Sequence, residues 1–207
     1  MLSFQHQKRI LDVATALILI VLFLPIWIII PILIFIESGL PIFFTHRRVG
    51  KGGKEFDLLK FRSMIKGADE LLHNHDKKLL KEFKDNDWKL ENDPRITILG
   101  KVIRSLTIDE FPQILNVLKG EMSMVGPRAY VKKELAEQTK KYPATKKYAQ
   151  QILSVKPGIT GPWQTSGRNE ISFKIRAKMD ADYANRKSIG EDIKILFKTP
   201  QAMISKW

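Results

Sequence analysis

Two adjacent carboxylates, Asp109 and Glu110, are the residues in this sequence most suited to catalysis. They follow Thr107, which lies three residues before Glu110, so the segment also fits a capping box at the start of a helix. Acidic side chains in that position are stabilised by the helix dipole alone. Without further information the pair is therefore either a helix cap or part of a metal and phosphate site.

The residues after the acidic pair predict an amphipathic helix over about residues 107–119, ended by Gly120. Its apolar positions are spaced to form one buried stripe: Phe111, Ile114, Leu115 and Leu118. Asp109, Gln113 and Asn116 fall on another face, and this polar row favours a metal and phosphate site. Pro112, just past the first turn, predicts a bend close to the acids.

Several cations flank loops and turns around the pair. They are Lys60, Arg62, Arg104, Arg128 and Arg168. Each one alone is better explained as solvated surface. Taken together with the carboxylates, they match the needs of phosphoryl transfer, in which a magnesium ion neutralises charge and basic side chains hold the phosphates.

Charge and composition restrict the partners of this chain. Its 207 residues are enough for one domain, and its formal net charge is +13. Residues 1–40 carry Lys8 and Arg9 against Asp12 and Glu37, so the whole excess lies after them. Such a basic region indicates an anionic partner, which could be nucleic acid, acidic lipid or a phosphorylated substrate. The chain has no cysteine, which excludes disulfides and thiol chemistry.

An uncharged apolar run predicts membrane insertion. Residues 13–36 hold 24 residues in which Thr15 is the only polar side chain. Soluble core helices rarely stay apolar on all sides for this length, and the run exceeds the apolar part of a signal peptide.

Pro25 divides this run in the middle and predicts a bend there. Each arm reaches roughly 17 Å, about half of the ~30 Å hydrocarbon thickness. Basic residues lie on both sides of the run, which places both ends in the cytoplasm. These features favour a re-entrant helix over residues 1–38 and a cytoplasmic catalytic domain over residues 39–207. A kinked helix that crosses the membrane once stays open as the alternative.

The rest of the sequence predicts a mainly helical α+β protein. Strands over residues 41–47 and 56–61 form a hairpin around the turn at residues 50–53. Helices are predicted over residues 67–90, over 131–153 around a proline, and twice within 173–207. The last of these has an apolar face that could lie along the membrane surface. Residues 156–158 and 161–162 are predicted as loop.

The motifs, in their order, resemble those of the small monotopic phosphoglycosyl transferases of the bacterial sugar transferase family. The resemblance covers about Lys8 to Lys198. The motifs that carry it are Lys8-Arg9-Ile10-Leu11-Asp12, Gly39-Leu40-Pro41-Ile42-Phe43-Phe44, Arg48-Val49-Gly50, Lys60-Phe61-Arg62-Ser63-Met64, Asp93-Pro94-Arg95-Ile96-Thr97, Arg104-Ser105-Leu106-Thr107-Ile108-Asp109-Glu110-Phe111-Pro112-Gln113, Asn116-Val117-Leu118-Lys119-Gly120-Glu121-Met122-Ser123, Val125-Gly126-Pro127-Arg128, Lys156-Pro157-Gly158-Ile159-Thr160-Gly161, Gln164, Ser166-Gly167-Arg168, Asp180 and Asp192-Ile193-Lys194. In one departure, Ala129 stands where the family usually has a second proline.

The resemblance implies a monotopic membrane protein with a re-entrant helix bent at Pro25, a small β-hairpin and interfacial amphipathic helices. It implies transfer of a sugar 1-phosphate from a UDP-sugar to undecaprenyl phosphate at the inner leaflet of the cytoplasmic membrane, with release of UMP. Asp109 would be the nucleophile that forms a covalent phosphosugar intermediate, and Glu110 would position Mg²⁺ or the acceptor.

The resemblance also implies roles for other residues. Asp109 and Glu110 would bind the Mg²⁺. The residues implied in substrate binding are Lys60, Arg62, Arg104, Arg128, Gln164 and Arg168. The residues implied in anchoring the membrane helix are Lys8, Arg9, Asp12, Pro25 and Asp192.

Two other classes of function are weaker. A membrane-tethered nucleic-acid binder would explain the charge, but its arginines would be expected among interleaved aromatics, whereas here they lie in Gly/Pro loops. A metal-dependent hydrolase could use His73-Asn74-His75, but residues two apart on a helix do not share a face. We therefore expect no nucleic-acid partner. The sequence is compatible with a homodimer.

Overall fold

The computed structural model describes residues 3–72, 79–81, 83, 90, 93–167 and 171–203. Most of the predicted helix over residues 67–90, with its two histidines, lies outside these ranges, as does Arg168. The helices are α1 (Phe4–Leu22), α2 (Leu24–Ser38), α3 (Ala68–Glu70), α4 (Ile98–Ser105), α5 (Gln113–Lys119), α6 (Lys132–Lys141), α7 (Lys146–Ile152), α8 (Phe173–Arg186) and α9 (Ile189–Met203). The strands are β1 (Phe43–Val49), β2 (Glu55–Phe61), β3 (Ser123–Val125) and β4 (Gly158–Thr160). The mainly helical α+β prediction is confirmed.

The apolar N-terminal segment forms a bent helix pair. Helices α1 and α2 meet at Phe23 with a bend of 64°. Pro25 lies in the first turn of α2, where the helix needs no backbone N–H from it, so the break falls just before the proline. In the described part of the chain no single helix has the length and apolar composition of a membrane span, but this pair meets both criteria together.

The predicted hairpin is confirmed. Strands β1 and β2 are antiparallel, with Phe43 opposite Phe61 and Val49 opposite Glu55. The connection contains two glycines with positive φ, Gly52 and Gly53, a conformation that costs glycine little. The structure also confirms helical segments on both sides of Pro143 and two C-terminal helices.

A second, parallel sheet corrects one residue of the predicted loop: residues 156–157 and 161–162 lie outside strands, as predicted, but Gly158 begins β4. Strand β4 pairs with β3, placing Gly158 opposite Ser123 and Thr160 opposite Val125. A side chain at Gly158 would place its Cβ only 2.0 Å from the backbone nitrogen of Gly126. The glycines that suggested a loop are therefore needed for the close approach of two backbones.

Hydrogen bonds from its first turns fasten α1 to the rest of the protein. Lys8 Nζ donates to Asp192 Oδ2 at 2.7 Å and to the Val125 carbonyl at 3.0 Å. Asp12 accepts from the hydroxyl of Ser123 at 2.9 Å and from the backbone of Met124 at 3.0 Å. These contacts place α1 against β3 and α9.

Arg9 completes this attachment. Its guanidinium donates to the carbonyls of Val117 and Leu118 at 2.6 and 2.7 Å. Those carbonyls lie in the last turn of α5, where the helix leaves acceptors unpaired and carries partial negative charge. One arginine therefore joins the membrane helix to the helix that follows the acidic pair.

We predict that Asp192→Ala destabilises the protein by about 3 kcal/mol, because it removes the nearer carboxylate of the half-buried Lys8 ammonium and leaves it only Asp12, at 3.8 Å. Asp192 is fully buried and also accepts from the Tyr183 hydroxyl at 2.6 Å. Thermal unfolding of the detergent-solubilised protein measures the effect. Asp182→Ala, at an exposed position of the neighbouring helix, is the control. Equal unfolding midpoints for the two variants would contradict the prediction.

Candidate active site

The acidic pair lies on a single 3-10 turn, Ile108–Glu110, ahead of α5. Thr107 precedes it in the left-handed conformation, with φ of 59° and no side-chain capping bond. This corrects both the capping-box interpretation and the prediction of one helix over residues 107–119. The backbone instead turns twice within a few residues, which holds the two carboxylates apart from the regular helix.

Lys60 of β2 contacts both acids. Its Nζ lies 2.7 Å from Glu110 Oε1 and 3.5 Å from Asp109 Oδ2. Asp109 is 5% exposed, whereas Lys60 and Glu110 keep part of their side chains accessible. The structure therefore brings the predicted nucleophile, its acidic neighbour and one of the predicted cations into direct contact.

The pKa values of Asp109 and Lys60 are both raised, although burial acts on the two groups in opposite directions. Burial raises the pKa of Asp109, the nearby charge of Lys60 lowers it, and Glu110 raises it. For Lys60, burial opposes the charged form, but the carboxylates of Glu110 and Asp109 outweigh it and raise the pKa. Lys60 is therefore a permanent cation whose charge helps to keep Asp109 ionised.

Asn116 fixes the strand that carries Lys60. Its side chain accepts from the backbone N–H of Leu59 at 3.0 Å and donates to the carbonyl of Asp57 at 2.8 Å. It also donates to Glu121 at 2.7 Å. Its hydrogen-bonding capacity is thus used within the fold, so the predicted polar row does not extend the site to Asn116. Its effect on the site is indirect, through the register of β2 against α5.

Arg62, two residues after Lys60, binds the end of the membrane segment. One of its terminal nitrogens donates to the Ser38 carbonyl at 2.8 Å and to the Gly39 carbonyl at 2.7 Å. These are the acceptors that α2 leaves unpaired where it ends. Strand β2 therefore connects the exit of α2 directly to the acidic pair. A role for Arg62 in substrate binding stays a prediction.

The other predicted substrate-binding residues lie in two places. Arg104, at the end of α4, is close enough to lower the pKa of Asp109. Gln164 lies in the 3-10 turn Gln164–Ser166, where its side chain is half-buried and donates to the Ile159 carbonyl at 3.4 Å. Arg128 lies in the loop after β3, described next.

The loop around Arg128 is held by a buried carboxylate. Asp180 of α8 accepts from the Arg128 backbone N–H at 3.1 Å and from the Tyr130 hydroxyl at 3.3 Å. Burial raises the pKa of Asp180 to about 7. The carbonyl of Ala129, the departure from the family pattern, accepts from Arg48 at 3.1 Å. This loop is therefore ordered from both sides in spite of the missing proline.

Two arginines that sequence reasoning did not select lie beside Arg128. The guanidinium of Arg128 stacks 5.4 Å from the ring centre of Trp163. The guanidinium of Arg176, in α8, stacks 5.2 Å from the centre of the same ring. Arg48 is also near, because the charge of Arg128 contributes to lowering the pKa of Arg48, after burial, to about 10. Arg48 stood within a recognised motif, but Arg176 gave no local signal, because only the packing of α8 brings it here.

The acidic pair fits a magnesium ion. Mg²⁺ in phosphoryl-transfer sites takes one or two protein carboxylates and completes its shell with water and substrate phosphates. A single cationic centre, Lys60 Nζ, already lies within 3.5 Å of an oxygen from each acid. No cluster of three or more acidic, His or Cys ligands occurs among the residues that the structure describes. Binding of Mg²⁺ at the acidic pair stays a prediction.

Comparison with known proteins gives a consistent result. Residues 3–206 match the profile of the family described as bacterial sugar transferase. The chain is 39% identical over 205 residues to the exopolysaccharide production protein ExoY of Rhizobium meliloti, covering 95% of this chain and 84% of that protein. It is 42% identical to the UDP-galactose-lipid carrier transferase of Erwinia amylovora, covering 95% of this chain and 40% of that protein.

A third relative, like the second, is much longer than this chain. The undecaprenyl-phosphate galactose phosphotransferase of Salmonella typhimurium is 37% identical over 210 residues, which cover 99% of this chain and 42% of that protein. The chain thus spans most of the first relative and about two fifths of the other two.

Proposed function

This chain belongs to the bacterial sugar transferase family, and we propose that it transfers a sugar 1-phosphate from a UDP-sugar to undecaprenyl phosphate, as a step in exopolysaccharide or capsule synthesis. The observation that carries the proposal is the joint contact of Lys60 with Asp109 and Glu110 beside the exit of the membrane helix. It supplies a carboxylate nucleophile, a charge to keep it ionised, and a position next to the lipid.

In the first step an oxygen of Asp109 attacks the sugar-bearing phosphorus of the UDP-sugar. The bond between this phosphorus and the bridging oxygen breaks, and UMP leaves with the electron pair. The product is an aspartyl phosphosugar. A covalent intermediate of this kind divides one difficult displacement into two easier ones. The burial of Asp109 supports this role, because a poorly hydrated carboxylate is a stronger nucleophile.

In the second step a phosphate oxygen of undecaprenyl phosphate attacks the same phosphorus. The bond to Asp109 breaks, which returns the carboxylate and yields the undecaprenyl diphosphate sugar. Lys60 and Arg104 carry charge beside Asp109 and are placed to stabilise the negative charge on the transferred phosphoryl group. Glu110 also contacts Lys60, and this contact helps to hold the ammonium of Lys60 beside Asp109.

Mg²⁺ bound by Asp109 and Glu110 would neutralise part of the charge on the diphosphate. The ion also gives a reason for the partial exposure of Glu110, which keeps that carboxylate accessible beside the buried Asp109. We therefore include Mg²⁺ as the cofactor.

The helix pair supports a re-entrant topology. Its beginning is bound through Arg9 to α5, and its end is bound through the Ser38 and Gly39 carbonyls to Arg62. Glu37 also accepts from the backbone of Leu99 in α4 at 2.9 Å. Because one folded unit holds both ends, both ends lie on the same side of the membrane. Residues 1–38 are thus proposed as a re-entrant membrane segment, and residues 39–207 as a catalytic domain on the cytoplasmic face.

We predict that Asp109→Asn abolishes exchange of labelled UMP into UDP-sugar in the absence of lipid, because this exchange requires the covalent intermediate. The full reaction should fall by roughly three orders of magnitude or more. A panel of UDP-hexoses with purified enzyme provides the assay, and Asp182→Asn is the matched control. Undecaprenyl diphosphate sugar formed by Asp109→Asn at the wild-type rate would exclude Asp109 as the nucleophile.

We predict that Lys60→Met moves the acidic limb of the kcat/KM profile to higher pH. Only the ionised Asp109 attacks, and burial already raises its pKa. Removing the Lys60 charge raises that pKa further, so a smaller fraction is ionised at a given pH. At pH values on the acidic side of this limb, kcat/KM of the variant should be about tenfold or more below that of the wild type. Lys60→Arg keeps the charge and should keep the limb. A Lys60→Met profile that is lower but unshifted would contradict the electrostatic role.

We predict that single cysteines at Ser3 and Lys54 react with a membrane-impermeant maleimide from the same side. The chain contains no cysteine of its own, so each variant reports one position. In spheroplasts both should be protected, and in inverted vesicles both should be labelled. Labelling from opposite sides would show a spanning segment.

A further inference from the structure

Three guanidiniums lie near one another, and the backbone of one of them, Arg48, is roughly 13 Å along the hairpin from the backbone of Lys60. Residues paired across antiparallel strands point to the same side, and Lys60 pairs with Phe44, four positions before Arg48. Arg48 and Lys60 therefore share one face of the hairpin, at a spacing of about 3.3 Å per residue. The charge of Glu110 reaches Arg48, so the two places are electrostatically connected.

Among the described residues, the guanidiniums of Arg128 and Arg176 contact the protein by stacking on aromatic rings. Both stack on the indole of Trp163, at 5.4 and 5.2 Å from its centre. Within the described residues neither side chain donates a hydrogen bond to a protein acceptor or forms a salt bridge. Both are half-buried. Cationic side chains that are stacked, preorganised and uncommitted can bind a planar pair of phosphate oxygens with little loss of entropy.

Several buried polar atoms of these arginines and of their neighbours have no hydrogen-bond partner among the described residues. The Nε atoms of Arg48, Arg128 and Arg176 and the indole Nε1 of Trp163 are buried and have no hydrogen-bond partner among the described residues. Trp163 itself is 7% exposed. One oxygen of Asp180, which is fully buried, is also unpaired. Buried polar groups are rarely left in this state unless a ligand or water pairs with them.

The cluster has an excess of positive charge. The nearest acidic partner of Arg48 is Glu134, at 4.0 Å. Burial lowers the pKa of Arg176, and the charge of Arg128 lowers it further. Three arginines so close repel one another, and an anion between them would remove that repulsion.

The position of the cluster selects the kind of anion. Tyr130 and Phe173, which pack beneath it, belong to a hydrophobic cluster with no member from α1 or α2 among the described residues. The acidic pair instead borders a cluster that contains Ile30 and Ile34 of α2. The arginines therefore lie on the side of the site away from the membrane segment, which suits a water-soluble substrate better than a lipid phosphate.

We propose that Arg48, Arg128 and Arg176, arranged around Trp163, bind the phosphate of the UMP portion of the donor and hold it as UMP leaves. This inference rests on the proposed function. It assigns Arg48 and Arg176 as nucleotide-binding residues and gives Trp163 the role of positioning two of the guanidiniums. The two phosphates of the donor share one bridging oxygen, so the long side chains of the cluster would meet the UMP phosphate next to Asp109, and the uridine would extend away along the hairpin face.

Isothermal titration of the full-length, detergent-solubilised protein with UMP tests the proposal. Arg176→Ala should weaken UMP binding by roughly 10- to 100-fold, the effect of losing a charge-assisted contact. Arg176→Lys keeps the charge without the planar pair of donors and should lie between Arg176→Ala and wild type. Lys178→Ala removes the same charge from an exposed position on the same helix and should bind UMP like wild type. Uridine, which lacks the phosphate, should bind all four proteins equally.

Kinetics distinguish the donor phosphate from that of the lipid. In Arg176→Ala the KM for the UDP-sugar should rise with the UMP dissociation constant, while the KM for undecaprenyl phosphate stays unchanged. Unaltered UMP affinity in Arg176→Ala, or a rise in the lipid KM instead, would overturn the proposal while leaving the transferase function intact. Absence of turnover with every UDP-sugar would count against the proposed function, and the UMP titration would then decide the inference alone.

Discussion

The contact of one lysine with two adjacent carboxylates is the interaction on which the site depends. Asp109 is buried, and burial disfavours its charged form. Lys60 offsets that effect from a strand about fifty positions away in the sequence. Lys60 thus limits the upward shift of the Asp109 pKa, and weak hydration with a nearby positive charge suits the proposed attack on phosphorus. Much of the surrounding structure serves to keep these groups at this separation.

The same strand determines where the chemistry occurs relative to the lipid. Lys60 lies near the end of β2, and Arg62 follows directly after the strand, so a short segment of backbone joins the two. Arg62 binds the end of α2, while Asn116 fixes the strand against α5. Arg9 joins the first membrane helix to α5 as well. The acidic pair is thereby held at a constant distance from both ends of the helix pair, and the reaction can take place beside the membrane surface.

Two hydrophobic clusters near the site differ in their contact with the membrane helices, while a third contains both Ala16 of α1 and Ala129 beside Arg128. The cluster beneath the acidic pair includes residues of α2, whereas the cluster beneath Arg128 and Arg176 is built from the loop after β3 and from α6, α7 and α8.

The sequence by itself determined the features that depend on local pattern. The uncharged run with Pro25, the turn glycines of the hairpin and the acidic pair are all readable within a short window, because helix, strand and membrane insertion follow from neighbouring residues. Motif resemblance added the family and the expected chemistry. The tertiary structure decided which cation meets the acids, paired the strand that begins at Gly158 with β3, and gave Arg62 and Asn116 their contacts. It also brought Arg48 and Arg176 to Trp163. These outcomes depend on contacts between residues tens to more than a hundred positions apart, whose pairing is set by the packing of the whole chain and leaves no periodic signal in the sequence.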